Sequence, residues 1–251
     1  MRLYLFLLFF IFSRVSVCQQ VDRDIFDSTL GEEKAYAYSV LEGSFEKFLK
    51  SNYANRHSLS ERIKGFLKDI QKQNINWTFD DSLSYSTLLQ IEKSGLRKDI
   101  LLYESEAYHE RFPFEKYIEE YESSEEISNS GEIDENFEEI IEIPLTSEGN
   151  EKGVIKDELE FQQLKDKFPK PNRNGLFYYA LAKAQTNNDD IIAYVSLITE
   201  FEESPSPSLL AFAFLSGFSD DELVGWENKL ILIIEIYLKS IIQNDIMKNR
   251  E

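Results

Sequence analysis

The 251-residue chain predicts an all-α protein: two helical subdomains, built as irregular bundles and joined by an acidic disordered linker. Three observations lead to that reading. Apolar residues recur at spacings of three and four along most of the chain, the mark of helices with one buried face. Two helix-starting signals, Ser58 with Glu61 and Ser219 with Glu222, stand in capping-box relation. Between Glu115 and Glu151 the composition breaks, with fourteen acidic residues against the single Lys116. Such a stretch repels itself and buries too little apolar surface to offset its ordering entropy.

The chain opens MRLYLFLLFFIFSRVSVCQQ, one early positive charge followed by an apolar run from Leu3 to Phe12 and then small residues. This is the pattern of a secretory signal peptide, residues 1–18, cleaved after Cys18. The expected localisation is therefore secreted, or extracellular. An apolar run of ten is about half the length needed to span a bilayer, so no stable membrane span is expected. Cleavage removes the only cysteine, leaving the fold to rest on packing without disulfides, and removes Arg2 and Arg14, which takes the formal charge from −19 to −21. A balance this acidic argues against nucleic acid, whose binding depends on basic groups displacing counterions. It suits solubility and a basic partner.

The N-terminal subdomain, 19–122, begins with a helix from Leu30 to about Tyr53 that turns Tyr38, Leu41, Phe45, Phe48 and Leu49 inward. A second runs from Leu59 to about Gln73 behind the Ser58–Glu61 box, burying Ile63, Phe66, Leu67 and Ile70. A polar loop, QKQNINWTFDD, carries the N-glycosylation sequon Asn76-Trp77-Thr78. Asp80, Asp81 or Ser82 then caps a helix through Leu88, Leu89 and Ile91, and Gly95 is placed as its left-handed stop. A further helix is expected from Leu96 to about Glu110, with Pro113 breaking the pattern before a short helix at 114–121.

After the linker, 123–153, the C-terminal bundle occupies 154–251 and is arranged around 220–246. Its first helix, 157–167, is ended by Pro169 and Pro171. Asn174-Gly175 makes a turn before LFYYALAKAQ, and Asp189 or Asp190 caps a helix from Ile191 to Phe201. Pro207 suits the first position of a helix ending at Gly217. The Ser219–Glu222 box launches a long C-terminal helix whose stretch Leu230–Ile242 is large and apolar at ten of thirteen positions. Interrupted by Glu235 and Lys239, that stretch is too short for a membrane and reads as a buried core helix. Asn228, Glu235, Lys239 and Gln243 fall on its one polar side, and the segments 191–201 and 209–215 are the expected cover. Whether the two halves pack together stays open at this level.

Little of the vocabulary of catalysis is present. Only His57 and His109 exist, no Gly-x-Ser-x-Gly, Walker or Gly-x-Gly-x-x-Gly pattern occurs, and no mature cysteine remains. Glu106-x-x-His109 has the spacing of a di-iron ligand pair on a helix, but such sites need a second copy, and His57 is preceded three residues earlier by Ala54. No catalytic, metal or cofactor residue is assigned. The reading is a non-enzymatic extracellular binding or interaction protein, with a carrier of a small apolar ligand such as a fatty acid as the alternative and an enzyme with an unrecognised site as the third.

Four features serve these readings. Asn76 is the glycosylation candidate. Arg56, Lys64, Lys68 and Lys72 form a basic interaction stripe in a segment of net charge +3, suited to a lipid surface or to the acidic linker. The linker stretch 137–145 mixes β-branched residues with acid, as a docking strand does. Phe177, Tyr178, Phe212, Phe214 and Trp226 either pack the core or line an apolar pocket.

Overall fold

A computed structural model describes residues 23–108, 168–184, 189–201 and 204–248. The leader and its cleavage point, the linker, the stretch 137–145, the helices expected at 114–121 and 157–167, and His109 lie outside the described residues. The fold is all-α, with one two-residue strand pairing among the described residues.

α1 (Arg23–Leu30) and α2 (Glu32–Asn52) meet at Gly31, whose φ of 82° suits glycine. α1 was not anticipated, because Phe26 and Leu30 are its only fully buried positions and two residues make no periodicity. α2 buries Tyr38, Leu41, Phe45, Phe48 and Leu49 as the spacing predicts. α3 (Leu59–Gln71) starts from a complete capping box: Ser58 Oγ accepts the Glu61 N–H at 3.1 Å and the Glu61 carboxylate accepts the Ser58 N–H at 3.3 Å. α4 (Asp81–Lys93) is capped by Asp80, which accepts the Leu83 N–H at 3.0 Å, and Gly95 follows it in the left-handed conformation.

The helix expected from Leu96 to Glu110 stops after five residues. α5 (Leu96–Ile100) gives way to β1 (Leu101–Leu102), which pairs antiparallel with β2 (Lys170–Pro171). Leu101 lies opposite Pro171 and Leu102 opposite Lys170, so a tertiary pairing overrides the local helical spacing.

α6 (Leu176–Ala184) and α8 (Pro207–Gly217) follow as the turn and proline signals indicate, with Ser206 Oγ accepting the Leu209 N–H at 3.3 Å, while α7 (Asp189–Phe201) already includes Asp189 and Asp190, the expected caps, as helical residues. The Ser219–Glu222 box forms, but it launches only α9 (Asp220–Leu223), and the chain turns again at Gly225. The long helix then begins as α10 (Trp226–Leu232), passes through a π-helical segment (Ile233–Leu238) and continues as α11 (Lys239–Lys248).

Helices from the two sides of the segment 109–167 share one hydrophobic core. α1 packs on α6, α3 on α8, α4 on α11 and α2 on the π segment. Every residue from Leu230 to Leu238 is buried, so this run is the centre of the core as its composition implies. Its cover includes a helix that was not expected: Tyr237 sits against Phe45 and Phe48 of α2, ring centroids 5.2 Å from each, and shares a 2.7 Å hydrogen bond with Ser44. Closing a long loop costs little more than closing a short one, so nearness in sequence is a poor guide to packing partners. Each large apolar side chain removed from water here contributes about 1.5–3 kcal/mol. Among the described residues no helix is long and apolar enough to cross a membrane.

Candidate functional site: two buried ionic clusters and an exposed apolar row

A π-helical turn holds an extra residue and often marks a specialised position in a helix. Here the special residue is Glu235, 2% exposed. One carboxylate oxygen accepts the Tyr194 hydroxyl at 2.6 Å and the other accepts the Lys239 ammonium at 2.6 Å. Lys239 also donates to Ser204 Oγ at the rim. The Tyr178 ring lies 6.4 Å from that of Tyr194. Burial pushes both phenols well above their ordinary range and the charge of Glu235 adds to the effect, so Tyr194 stays a donor. The carboxylate therefore has both oxygens engaged and little contact with solvent, an arrangement that fixes α7 against the π segment.

A second cluster surrounds Arg97, 3% exposed. Its guanidinium donates to Glu92 at 2.6 and 2.8 Å, to Glu106 at 2.6 Å and to the Leu101 carbonyl at 3.0 Å, and it lies over the Tyr103 ring at 4.8 Å. Burial alone would lower the Arg97 pKa, but the bonds to Glu92 and Glu106 reverse this and hold it raised. Those bonds from Arg97 pull Glu106 down to about 2. Glu106 lies in a non-helical segment and is committed to Arg97 and Lys98, so it does not present the helical Glu-x-x-His face that its spacing with His109 suggested.

Beside this cluster, described residues from the two sides of 109–167 meet. Asp99 pairs with Lys34 at 2.6 Å and accepts the Tyr108 hydroxyl at 2.7 Å. The Tyr108 oxygen in turn accepts the Leu176 N–H at 3.3 Å, and Asn172 donates to the Lys98 and Ile100 carbonyls at 2.7 and 2.8 Å. A side chain at Gly175 would collide with the Asp99 carbonyl oxygen, which explains the glycine of the Asn174-Gly175 turn. None of Arg97, Asp99, Asn172 or Tyr194 stands out in the sequence, because burial and partner depend on the fold.

The sequence-derived candidates fall in different places. Asn76 is exposed in the loop between α3 and α4, its side chain donating to Asn74 at 3.2 Å. Trp77 anchors that loop, stacked 4.7 Å from Phe66 and donating to the Tyr53 hydroxyl at 2.8 Å. The basic stripe is not a row of four free cations. Lys64 pairs with Asp220 of α9, and Arg56 lies 5.9 Å over the Tyr53 ring, leaving Lys68 and Lys72 exposed. Phe177, Tyr178 and Phe214 are fully buried, and Trp226 is half-buried. Phe177 and Trp226 meet Phe26 edge-on at 5.5 and 5.1 Å, while Phe214 packs on Phe218 at 4.8 Å. Phe212 points outward at 43% exposure, away from any shared lining with the others.

Tyr85 and Leu89, one turn apart on α4, are 63% and 40% exposed. Met247 is exposed next to Lys248, whose ammonium pairs with Asp81 one turn before Tyr85. Among the described residues no group of three or more His, Cys, Asp and Glu side chains is gathered as metal ligands are. Comparison with protein families, with characterised proteins and with solved structures finds no match.

Proposed function

We propose that the chain is a secreted, glycosylated binding protein without catalysis of its own, which engages another extracellular protein through the face of α4 that carries Tyr85 and Leu89. The observation that carries this is the pair of large apolar side chains left in water on successive turns of one helix. Single exposed hydrophobic residues are ordinary, but two at i and i+4 are the anchors a partner reads on a helix face. The leader supports secretion, and the exposed sequon at Asn76, immediately before α4, supports a glycan beside that face.

A photo-crosslinking residue placed at Tyr85 of the full chain, secreted from a eukaryotic host into its extracellular medium, tests the reading. The expected result is a discrete adduct that Leu89→Asp abolishes and that the same crosslinker at the exposed Lys98 does not form. Identical adduct patterns at positions 85 and 98 would overturn it. Treatment with an N-glycan-cleaving enzyme checks the glycan, with a mass decrease in the wild type and none in Asn76→Gln.

A further inference from the structure

Arg23 at the start of α1 lies between two rings, its Cζ 5.9 Å from the centroid of Tyr38 and 5.4 Å from that of Trp226. Glu42 accepts from its guanidinium at 3.1 Å and Asp27 Oδ2 sits 3.5 Å from its Nε. Three of the residues in contact with this side chain each carry a buried polar atom with no hydrogen-bond partner among the described residues: the Tyr38 hydroxyl, the Trp226 indole Nε1–H and Asp27 Oδ1. They come from three elements, α2, α10 and α1. The rings of Tyr38 and Trp226 meet edge-on at 6.4 Å, and Phe26 touches both, at 5.8 and 5.1 Å. Native interiors hold few such orphans, because each has given up its bonds to water for nothing.

The chemistry of the three atoms selects what joins them. An indole N–H only donates and an ionised carboxylate only accepts, while a phenol does either. Burial holds the Tyr38 phenol well above its ordinary range, with the charges of Glu42 and Asp27 acting in the same direction, so it keeps its proton. A cation finds no acceptor at the indole, and an anion meets the carboxylates of Asp27 and Glu42. A small neutral molecule that accepts two bonds and donates others satisfies all three, and buried waters make two to four such bonds.

We propose that a single buried water molecule accepts hydrogen bonds from the Trp226 indole and the Tyr38 hydroxyl and donates one to Asp27, forming a keystone that ties α1 to α2 and α10 beneath Arg23. It is a structural water site, independent of any partner bound at α4.

The test uses the full chain and its two tryptophans. Water-selective NMR should show a long-lived water contact to the Trp226 indole hydrogen and none to that of Trp77, whose N–H already donates to Tyr53 at 2.8 Å. Tyr38→Phe should lower the folded-to-unfolded ratio about tenfold, since it strips the water of one bond. An orphaned hydroxyl would instead leave that ratio unchanged or raise it, and this result overturns the proposal. If Tyr38→Phe does not fold, the wild-type NMR result decides. A Trp226 indole without a water contact, or a crystal structure with Tyr38 bonded directly to Asp27, also overturns it.

Discussion

Arg97 and Glu235 are both charged side chains almost without exposed surface, one on each side of the segment 109–167, and they are neutralised in opposite ways. Arg97 spreads its charge over two carboxylates, a backbone carbonyl and a tyrosine face, and both carboxylates keep some contact with water, Glu106 at 19% and Glu92 at 51% side-chain exposure. Glu235 depends on one lysine and one tyrosine. Burying a charge is costly unless it is paired and fully hydrogen-bonded. Redundancy therefore makes the Arg97 cluster tolerant of losing one partner, while Glu235 has no reserve.

The largest expected effect follows from that lack of reserve. Lys239→Met keeps the aliphatic stem but leaves the Glu235 carboxylate inside the core with a single donor, Tyr194. Loss of one partner from a buried pair costs about 3 kcal/mol, read as a lower urea midpoint with an unchanged slope. Adding Glu235→Gln removes the stranded charge and should recover at least half of that loss. A double variant no more stable than Lys239→Met would show that packing of the lysine stem, and not its charge, is what matters.

At Arg97 the same operation should do less. Glu92→Gln removes one of the two Arg97–Glu92 hydrogen bonds and weakens the other, but the lost carboxylate is half-exposed and Glu106 and the Leu101 carbonyl stay in place, so it should cost about 1–2 kcal/mol. Titration separates the two carboxylates further. Bonds from Arg97 hold Glu106 at about 2 in the folded chain, below the roughly 4.3 of a free glutamate. Its contribution is therefore complete above pH ~4.3 and is lost as the pH falls from there toward 2. Urea midpoints measured across that window should fall less steeply in Glu106→Gln than in the wild type. Parallel curves would remove Glu106 as the group responsible.

Neither cluster could be read from the sequence, although much of the fold that builds them could. Ser58 with Glu61, Asp80, Gly95 and Ser206 with Pro207 act where their local chemistry says they act, because caps depend on a few adjacent residues. The long apolar run around Tyr237 identifies itself as core by composition alone. Failures came where distant contacts decide. The helix after Gly95 is cut at Leu101 by a strand partner seventy residues away, which no spacing announces. Glu235 and Asn228 look like a solvated stripe on a regular wheel, yet both are buried, Asn228 by donating to the Glu222 carbonyl at 2.9 Å. The π turn also shifts the wheel on which that stripe was drawn. Tyr85 and Leu89 illustrate the reverse case: Leu89 belongs to the apolar spacing of α4, yet the positions that helix buries are Ser84, Thr87 and Ile91.

The smallest expected effect concerns an ion pair outside both clusters. Lys64 and Asp220 link α3 to α9 across the chain, but their side chains are 32% and 57% exposed. Exposed pairs trade modest attraction in a high dielectric against the entropy of holding two long side chains, and are worth about 0–1 kcal/mol. Lys64→Ala should thus lower the stability read from the urea midpoint by no more than about 0.5 kcal/mol in low salt, and by nothing measurable near 1 M salt, where charges are screened beyond about 3 Å. A loss comparable to that of Lys239→Met would mean that the α3–α9 contact is held by charge and not by the apolar packing of α3 on α8. The comparison between Arg97 and Glu235 would then need a third member, a charge at the surface that behaves as though it were buried.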